Sequence, residues 1–257
     1  MNRLIKQILL PFRRFSSNFV SVENPNSIVR KAAWILAAEK VEGDYLEFGV
    51  FSGDSFIRSF HELHEVYRKH MSPSAGRTSE EANKIKSIWS NMRFFAFDSF
   101  QGLPAIEGID NQGRDFVEGT WSFEESEFKK KISKSGLPLE KVVVVPGWFE
   151  ETCVETTIQK YEMRKAAIIH IDCDLYSSTK SVLKFVEPLL VDGTILIFDD
   201  WFSYKGDPNK GEQKACKEWL DKNNKIRLIP YKSFHSFQMS FIVNLNEKSL
   251  TSDMKQF

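Results

Sequence analysis

Four aspartates stand at the ends of two apolar runs. Ala166–Ile171 leads into Asp172-Cys173-Asp174, and residues 194–198 lead into Asp199-Asp200. Between the runs lies a segment with apolar residues at helical spacing (Val182, Phe185, Val186, Leu189, Leu190), closed by an Asp192-Gly193 turn. A strand, a helix and a strand in that order make parallel neighbours, because the crossover is too long for a hairpin. Both strands then finish at one edge of a sheet, the edge where open parallel sheets bind ligands. Carboxylates gathered there repel one another unless a cation lies between them. Any one aspartate can instead cap the turn that follows it. Two pairs at neighbouring strand ends point to a divalent cation, and oxygen donors suit Mg²⁺, Mn²⁺ or Ca²⁺ better than zinc. His170, inside the first run, reads as a core or supporting histidine rather than a base.

A second constellation lies upstream. Residues 45–50 are an apolar run carrying Glu47-x-Gly49-x-x-x-Gly53, with Ser55 just beyond. Glycines there let backbone approach a ligand, and the helix that follows offers free N–H groups. The spacing is not the G-x-G-x-x-G dinucleotide fingerprint, and simple turn chemistry explains it equally well. Asp98, ending the next strand before Ser99, stands where an acid takes two ribose hydroxyls of a nucleoside-like cofactor. A loop cap is the alternative for it.

The elements that must hold these residues alternate along the chain. Helices are expected over 25–42, 56–67, 123–133, 152–161 and 211–223. Strands are expected over 45–50, 93–97, 142–145, 166–171, 194–198, 226–230 and 238–244. That pattern is an α/β fold, with helices on both faces of a mostly parallel sheet and one antiparallel strand. Residues 71–90 read as an exposed insertion that turns helical near Glu80. Residues 105–121 form a long polar loop of the kind that serves as a lid. The main domain spans 26–246, and 247–257 is a frayed tail. Residues 1–25 make a basic amphipathic segment broken by Pro11, expected to pack on the domain or cover its cleft rather than anchor to a membrane surface.

Composition narrows the partners. The chain has 257 residues, 42% of them hydrophobic, and balances 35 basic against 35 acidic residues. No global field favours nucleic acid or a membrane. No apolar run approaches the roughly 18 residues of a membrane span, and a signal-peptide pattern is missing. Three cysteines without C-x-x-C spacing argue against a disulfide framework or zinc site, so a reduced cytoplasm is the expected setting.

Five segments together resemble a known family: E-F-G-V-F-S-G-D-S, F-D-S-F-Q-G-L-P, P-G-W-F-E-E-T, I-D-C-D-L-Y-S-S-T and I-F-D-D-W, in that order. They are similar to the macrocin O-methyltransferases, S-adenosylmethionine- and Mg²⁺-dependent enzymes that methylate sugar hydroxyls. The resemblance covers roughly residues 26–222 and departs from the family pattern at Gln213 and in the length of 71–90. It implies a Rossmann-like class I methyltransferase sheet and a small-molecule sugar or glycoside as acceptor, and it allows a homodimer. Glu47, Gly49, Gly53 and Ser55 would line the methionine end of the cofactor, and Asp98 and Ser99 its ribose and adenine side. Asp172, also beside the cofactor, would ligate Mg²⁺ (or Mn²⁺) with Asp199 and Asp200, leaving Asp174 as general base. One rival reading is a metal-dependent glycosyltransferase using the D-x-D of Asp172 and Asp174, which leaves Asp199-Asp200 and the glycine loop without a task. A non-catalytic methyltransferase-like binding domain is the other.

Overall fold

The structure, a computed structural model, describes residues 27–74, 76–111, 116–233 and 236–245. Seven strands form one sheet: β1 (Asp44–Phe48), β2 (Phe94–Asp98), β3 (Val142–Pro146), β4 (Ala166–Ile171), β5 (Ile195–Phe198), β6 (Ile226–Lys232) and β7 (Met239–Leu245). Their order is β3-β2-β1-β4-β5-β7-β6. β7 alone runs antiparallel to its neighbours, β5 and β6, as the pattern of connections predicts. The chain winds outward from β1 to β3, then restarts at β4 on the other side of β1. Reversal of winding between β1 and β4 opens a crevice at their carboxyl ends.

Among the described residues eight helices flank the sheet: α1 (Ile28–Glu39), α2 (Asp54–His70), α3 (Ser79–Asn91), α4 (Glu125–Lys134), α5 (Phe149–Thr152), α6 (Glu155–Lys160), α7 (Tyr176–Val186) and α8 (Gly211–Lys222). Alternate strand residues face opposite layers. Tyr45, Phe94, Ala96, Ile168, Ile195 and Ile197 pack with α1 to α4, while Leu46, Phe48, Phe95, Phe97, Ile169 and Phe198 pack with α7 and α8. Strands covered on both faces lose their polar alternation, so the central ones read as continuous apolar runs. Among the described residues no helix is long and apolar enough to cross a membrane.

Three expectations change in detail. Residues 71–90 are not wholly exposed: Thr78 and Glu81 form a capping box that starts α3, and α3 buries Ile85, Ile88 and Trp89 in the core. The helix expected over 152–161 splits into α5 and α6, because Val154 is extended between them. The expected lid is anchored at both ends of its described part. Leu103 and Thr120 are joined by a backbone hydrogen bond of 2.9 Å, and Asp110, in a short 3₁₀ turn, is buried against α7. The segments expected over 1–25 and 247–257, and residues 112–115 of the lid, lie outside the described residues.

One buried acid in this frame has a consequence for stability. Glu62 on α2 is 1% exposed; the Ser27 hydroxyl donates to its Oε2, while Oε1 has no hydrogen-bond partner among the described residues. Burial pushes its carboxyl up from 4.5 to about 7. The native state therefore holds a proton between those values that the unfolded chain releases. Stability falls as pH rises through that window, by roughly 3 kcal/mol for one group. Glu62→Gln is expected to flatten this dependence and raise the melting temperature at pH 8 by several degrees. Thermal unfolding at pH 5 and pH 8 checks it; equal shifts in parent and variant would rule Glu62 out as the cause.

Candidate active site

The site begins with backbone. Beyond the regular ladder, each parallel strand exit is tied to its neighbour: Gly147 donates to Asp98, Gly49 to Phe97, Asp172 to Phe48 and Asp199 to Ile171, all at 2.9 Å. These bonds carry the sheet register one residue further, so residues 49, 172 and 199 stand in a row across β1, β4 and β5. Gly49 makes the close approach possible. Its φ is +88°, and a Cβ there would lie 1.8 Å from the Asp172 carbonyl oxygen.

Above the row lies a cavity of about 370 Å³, within the usual range for small-molecule sites. Gly49, Phe51, Asp98 and Ser99 line it together with Asp172, Asp174, Asp199 and Asp200; Trp121 and Phe237 stand half exposed at it. Asp174 lines the cavity from a left-handed backbone, with φ +58°, a conformation aspartate tolerates better than most residues. The turn it makes feeds α7. That helix has no cap of its own at Leu175. Asp110 supplies one from the lid loop, accepting the N–H of Tyr176 at 2.7 Å and of Ser177 at 3.2 Å.

The two aspartates after β5 are held by different neighbours. Asp199 accepts from the Gln238 amide, and its Oδ1 is 3.4 Å from His170 Nε2. Asp200 accepts the Ser203 hydroxyl, and its own N–H donates to Glu212 Oε2 at 3.0 Å. Burial pushes the Asp172 carboxyl well up, and Asp199, Asp174 and Asp200 push it further. Burial alone would lower His170, but the Asp199 and Glu47 carboxylates on either side of it hold it well above its ordinary value.

The donor set fits a divalent cation. One ligand atom each from His170, Asp172 and Asp199 lies within 4.8 Å of the others, and carboxylates gathered this closely are what such an ion neutralises. Asp200 stands beside that trio rather than in it.

The glycine-loop residues separate into two groups. Gly49 lines the cavity. Glu47 is fully buried below it, where Tyr45 and Ser55 donate to its carboxylate. At Gly53, with φ +83°, a Cβ would lie 2.8 Å from the Phe128 ring, so packing against α4 accounts for that glycine. Asp98 and Ser99 line the cavity. Asp98 also ties its rim together, accepting Phe51 N–H at 2.8 Å and Phe100 N–H at 2.7 Å. Burial still raises its carboxyl despite those bonds. Sequence reasoning missed Glu212, Gln238 and Asp110. No spacing rule links them to the aspartates, since tertiary contacts alone bring them there. Gln213, the departure from the resembled family, donates to the Trp201 carbonyl at 2.6 Å and braces the loop after Asp200.

The family model for macrocin-O-methyltransferase (TylF) matches residues 83–224. In sequence, the chain is 28% identical over 170 residues to the 8-demethyl-8-(2,3-dimethoxy-alpha-L-rhamnosyl)-tetracenomycin-C 4'-O-methyltransferase of Streptomyces olivaceus, covering 64% of this chain and 55% of that protein. It is 26% identical over 172 residues to the mycinamicin III 3''-O-methyltransferase of Micromonospora griseorubida, covering 63% and 56%. The chain thus spans little more than half the length of these curated relatives. Among solved structures, the O-methyltransferase NovP superposes with a TM-score of 0.59 at 20% identity, covering 83% of this chain and 77% of that one. The calicheamicin methyltransferase CalS11 gives 0.57 at 20% identity, covering 90% and 80%. At such identities the likeness establishes the shared Rossmann-like fold. Because the matched stretch is more than half of the 257 residues and carries both aspartate-bearing strands, the chain belongs to the macrocin-O-methyltransferase (TylF) family.

Proposed function

We propose that this protein is an S-adenosylmethionine- and divalent-cation-dependent O-methyltransferase acting on a hydroxyl of a sugar or glycoside. The observation that carries the reading is the meeting of Gly49 and Asp98 with Asp172, Asp174, Asp199 and Asp200 around one cavity. Membership of the family supports the reaction class, and relatives that methylate glycosylated antibiotics support the acceptor class. When bound, the cofactor supplies an electrophilic methyl group on a sulfonium, and Mg²⁺ or Mn²⁺ supplies Lewis acidity toward the acceptor hydroxyl.

The chain's own residues do the rest. Asp98 is the acid placed to take the ribose hydroxyls, and Ser99 stands next to it. Gly49 keeps the floor of the cavity free of a side chain. Glu47, Gly53 and Ser55 support the loop from below, so any influence they have on the cofactor passes through Gly49. Asp172 and Asp199 would hold the cation together with Asp200, which would join from beside the trio they form with His170. Asp174, left-handed at the start of α7, accepts the proton of the acceptor hydroxyl at a carboxylate oxygen. Trp121 and Phe237 offer aromatic faces to a sugar ring at the half-exposed side of the cavity. Such a protein mainly aligns oxygen, carbon and sulfur for an in-line displacement.

Isothermal titration with S-adenosylhomocysteine, with and without Mg²⁺, tests the reading. Micromolar binding is expected. No heat with S-adenosylhomocysteine, but heat with a nucleotide-sugar plus Mn²⁺, would overturn it in favour of a glycosyltransferase.

A further inference from the structure

Glu212 is the most deeply buried acid near the cavity that the proposed reaction leaves unused. It lies in the first turn of α8 and is 1% exposed. It is not among the residues that line the cavity, so it meets neither cofactor nor acceptor. Its Oε2 accepts the backbone N–H of Asp200 at 3.0 Å, and its Oε1 has no hydrogen-bond partner among the described residues. A carboxyl buried beside four aspartates costs stability, and the alternative of an apolar residue at this position would remove that cost. Its one hydrogen bond goes to the residue where the chain leaves β5 and turns.

That bond has a geometric consequence. At Asp200 the sheet no longer supplies an acceptor: the backbone tie from Asp199 to Ile171 is the last of the row. An unbonded N–H at a buried residue is itself costly, so without Glu212 the turn would rotate to find another acceptor. Rotation there moves the Asp200 side chain away from the Ser203 hydroxyl and disturbs Asp199 next to it. From the same helix, Gln213 donates to the carbonyl of Trp201, the next residue of the turn. The N-terminal turn of α8 thus grips two consecutive residues of the loop that carries half of the acidic cluster.

We propose that Glu212 is a positioning residue: its side-chain oxygen, by accepting the Asp200 N–H, sets the orientation of the Asp199-Asp200 pair and thereby the affinity of the site for a divalent cation. This rests on the reading of Asp199 and Asp200 as cation ligands. The oxygen at that place is what matters, not the acid, so an amide serves as well. Partners of this kind behind metal ligands typically change affinity by about 10–100-fold.

The test uses Glu212→Gln and Glu212→Ala in the full chain, with two readouts besides turnover. Hydrogen exchange of the peptide covering residues 198–203, measured without metal, reads the bond itself. Free Mn²⁺ followed by electron paramagnetic resonance reads cation affinity. Glu212→Ala is expected to speed exchange at the turn and to weaken Mn²⁺ binding by about 10-fold or more, with S-adenosylhomocysteine affinity unchanged. Glu212→Gln is expected to stay within about twofold of the parent in both, which also guards against a variant that merely folds poorly. Unchanged exchange in Glu212→Ala overturns the bond, and unchanged Mn²⁺ affinity overturns its consequence. A Gln variant as impaired as the Ala variant overturns the role of the oxygen. If the parent protein takes up no Mn²⁺ at all, the cation reading fails, while the exchange result still decides whether Glu212 holds the turn.

Discussion

Asp174→Asn is expected to bind S-adenosylhomocysteine and Mn²⁺ as the parent does and to lose turnover by about 10²–10⁴-fold, the usual worth of a general base. The substitution keeps size and a hydrogen-bonding oxygen but removes the ability to take a proton. Asparagine also tolerates the left-handed backbone at this position, where φ is +58°, so the turn into α7 and its cap from Asp110 should survive. A sugar hydroxyl holds its proton tightly at neutral pH, and a carboxylate beside the reacting oxygen is where that proton can go. The measurement is kcat and KM for a glycoside acceptor, alongside calorimetry for cofactor and cation. Full turnover would remove Asp174 from the chemistry. Loss of Mn²⁺ binding in step with turnover would reassign it as a ligand.

Gly49→Ala is expected to destabilise the fold by more than about 3 kcal/mol and to abolish cofactor binding. Left-handed backbone costs a non-glycine residue about 1–2 kcal/mol. The larger cost is steric, because the new methyl would lie 1.8 Å from the Asp172 carbonyl oxygen. That atom is main chain, on a strand buried in the middle of the sheet, and cannot swing aside as a side chain would. Relief requires β1 and β4 to part at their carboxyl ends. Parting them strains the Asp172-to-Phe48 backbone bond and shifts Asp172 within the acidic cluster. Thermal unfolding and calorimetry with S-adenosylhomocysteine check the two halves separately. A variant that melts within a degree of the parent would show that the loop has more freedom than its contacts imply. At Gly53 the same substitution presses on the edge of the Phe128 ring, a side chain that can yield, so a smaller loss is expected there.

The two aspartate pairs were legible in the sequence because their chemistry is local. An apolar run ending in acids, a helical segment, and another apolar run ending in acids dictate a parallel pair by connection length alone. The observed register, Ile171 opposite Phe198, brings Asp172 level with Asp199 as that reasoning requires. The single antiparallel strand was legible for the same reason, since only β6 and β7 are joined without an intervening helix.

What the sequence left open lies wherever a residue's neighbours come from far along the chain. The glycine loop shows the limit. Its spacing places Glu47, Gly49, Gly53 and Ser55 together, but only packing decides that Gly49 faces the cavity while Gly53 faces Phe128 and Glu47 is sealed beneath. His170 likewise reads as an isolated polar residue in a strand until β1 and β5 bring Glu47 and Asp199 to either side of it. Glu212, Gln238 and Asp110 reach the site from a helix, the residue before a strand, and a loop. Periodicity can orient a residue within its own element, but the element's docking angle and depth depend on the whole core. The chemistry of this site was therefore written in short segments, and the support that fixes its geometry was decided by tertiary structure.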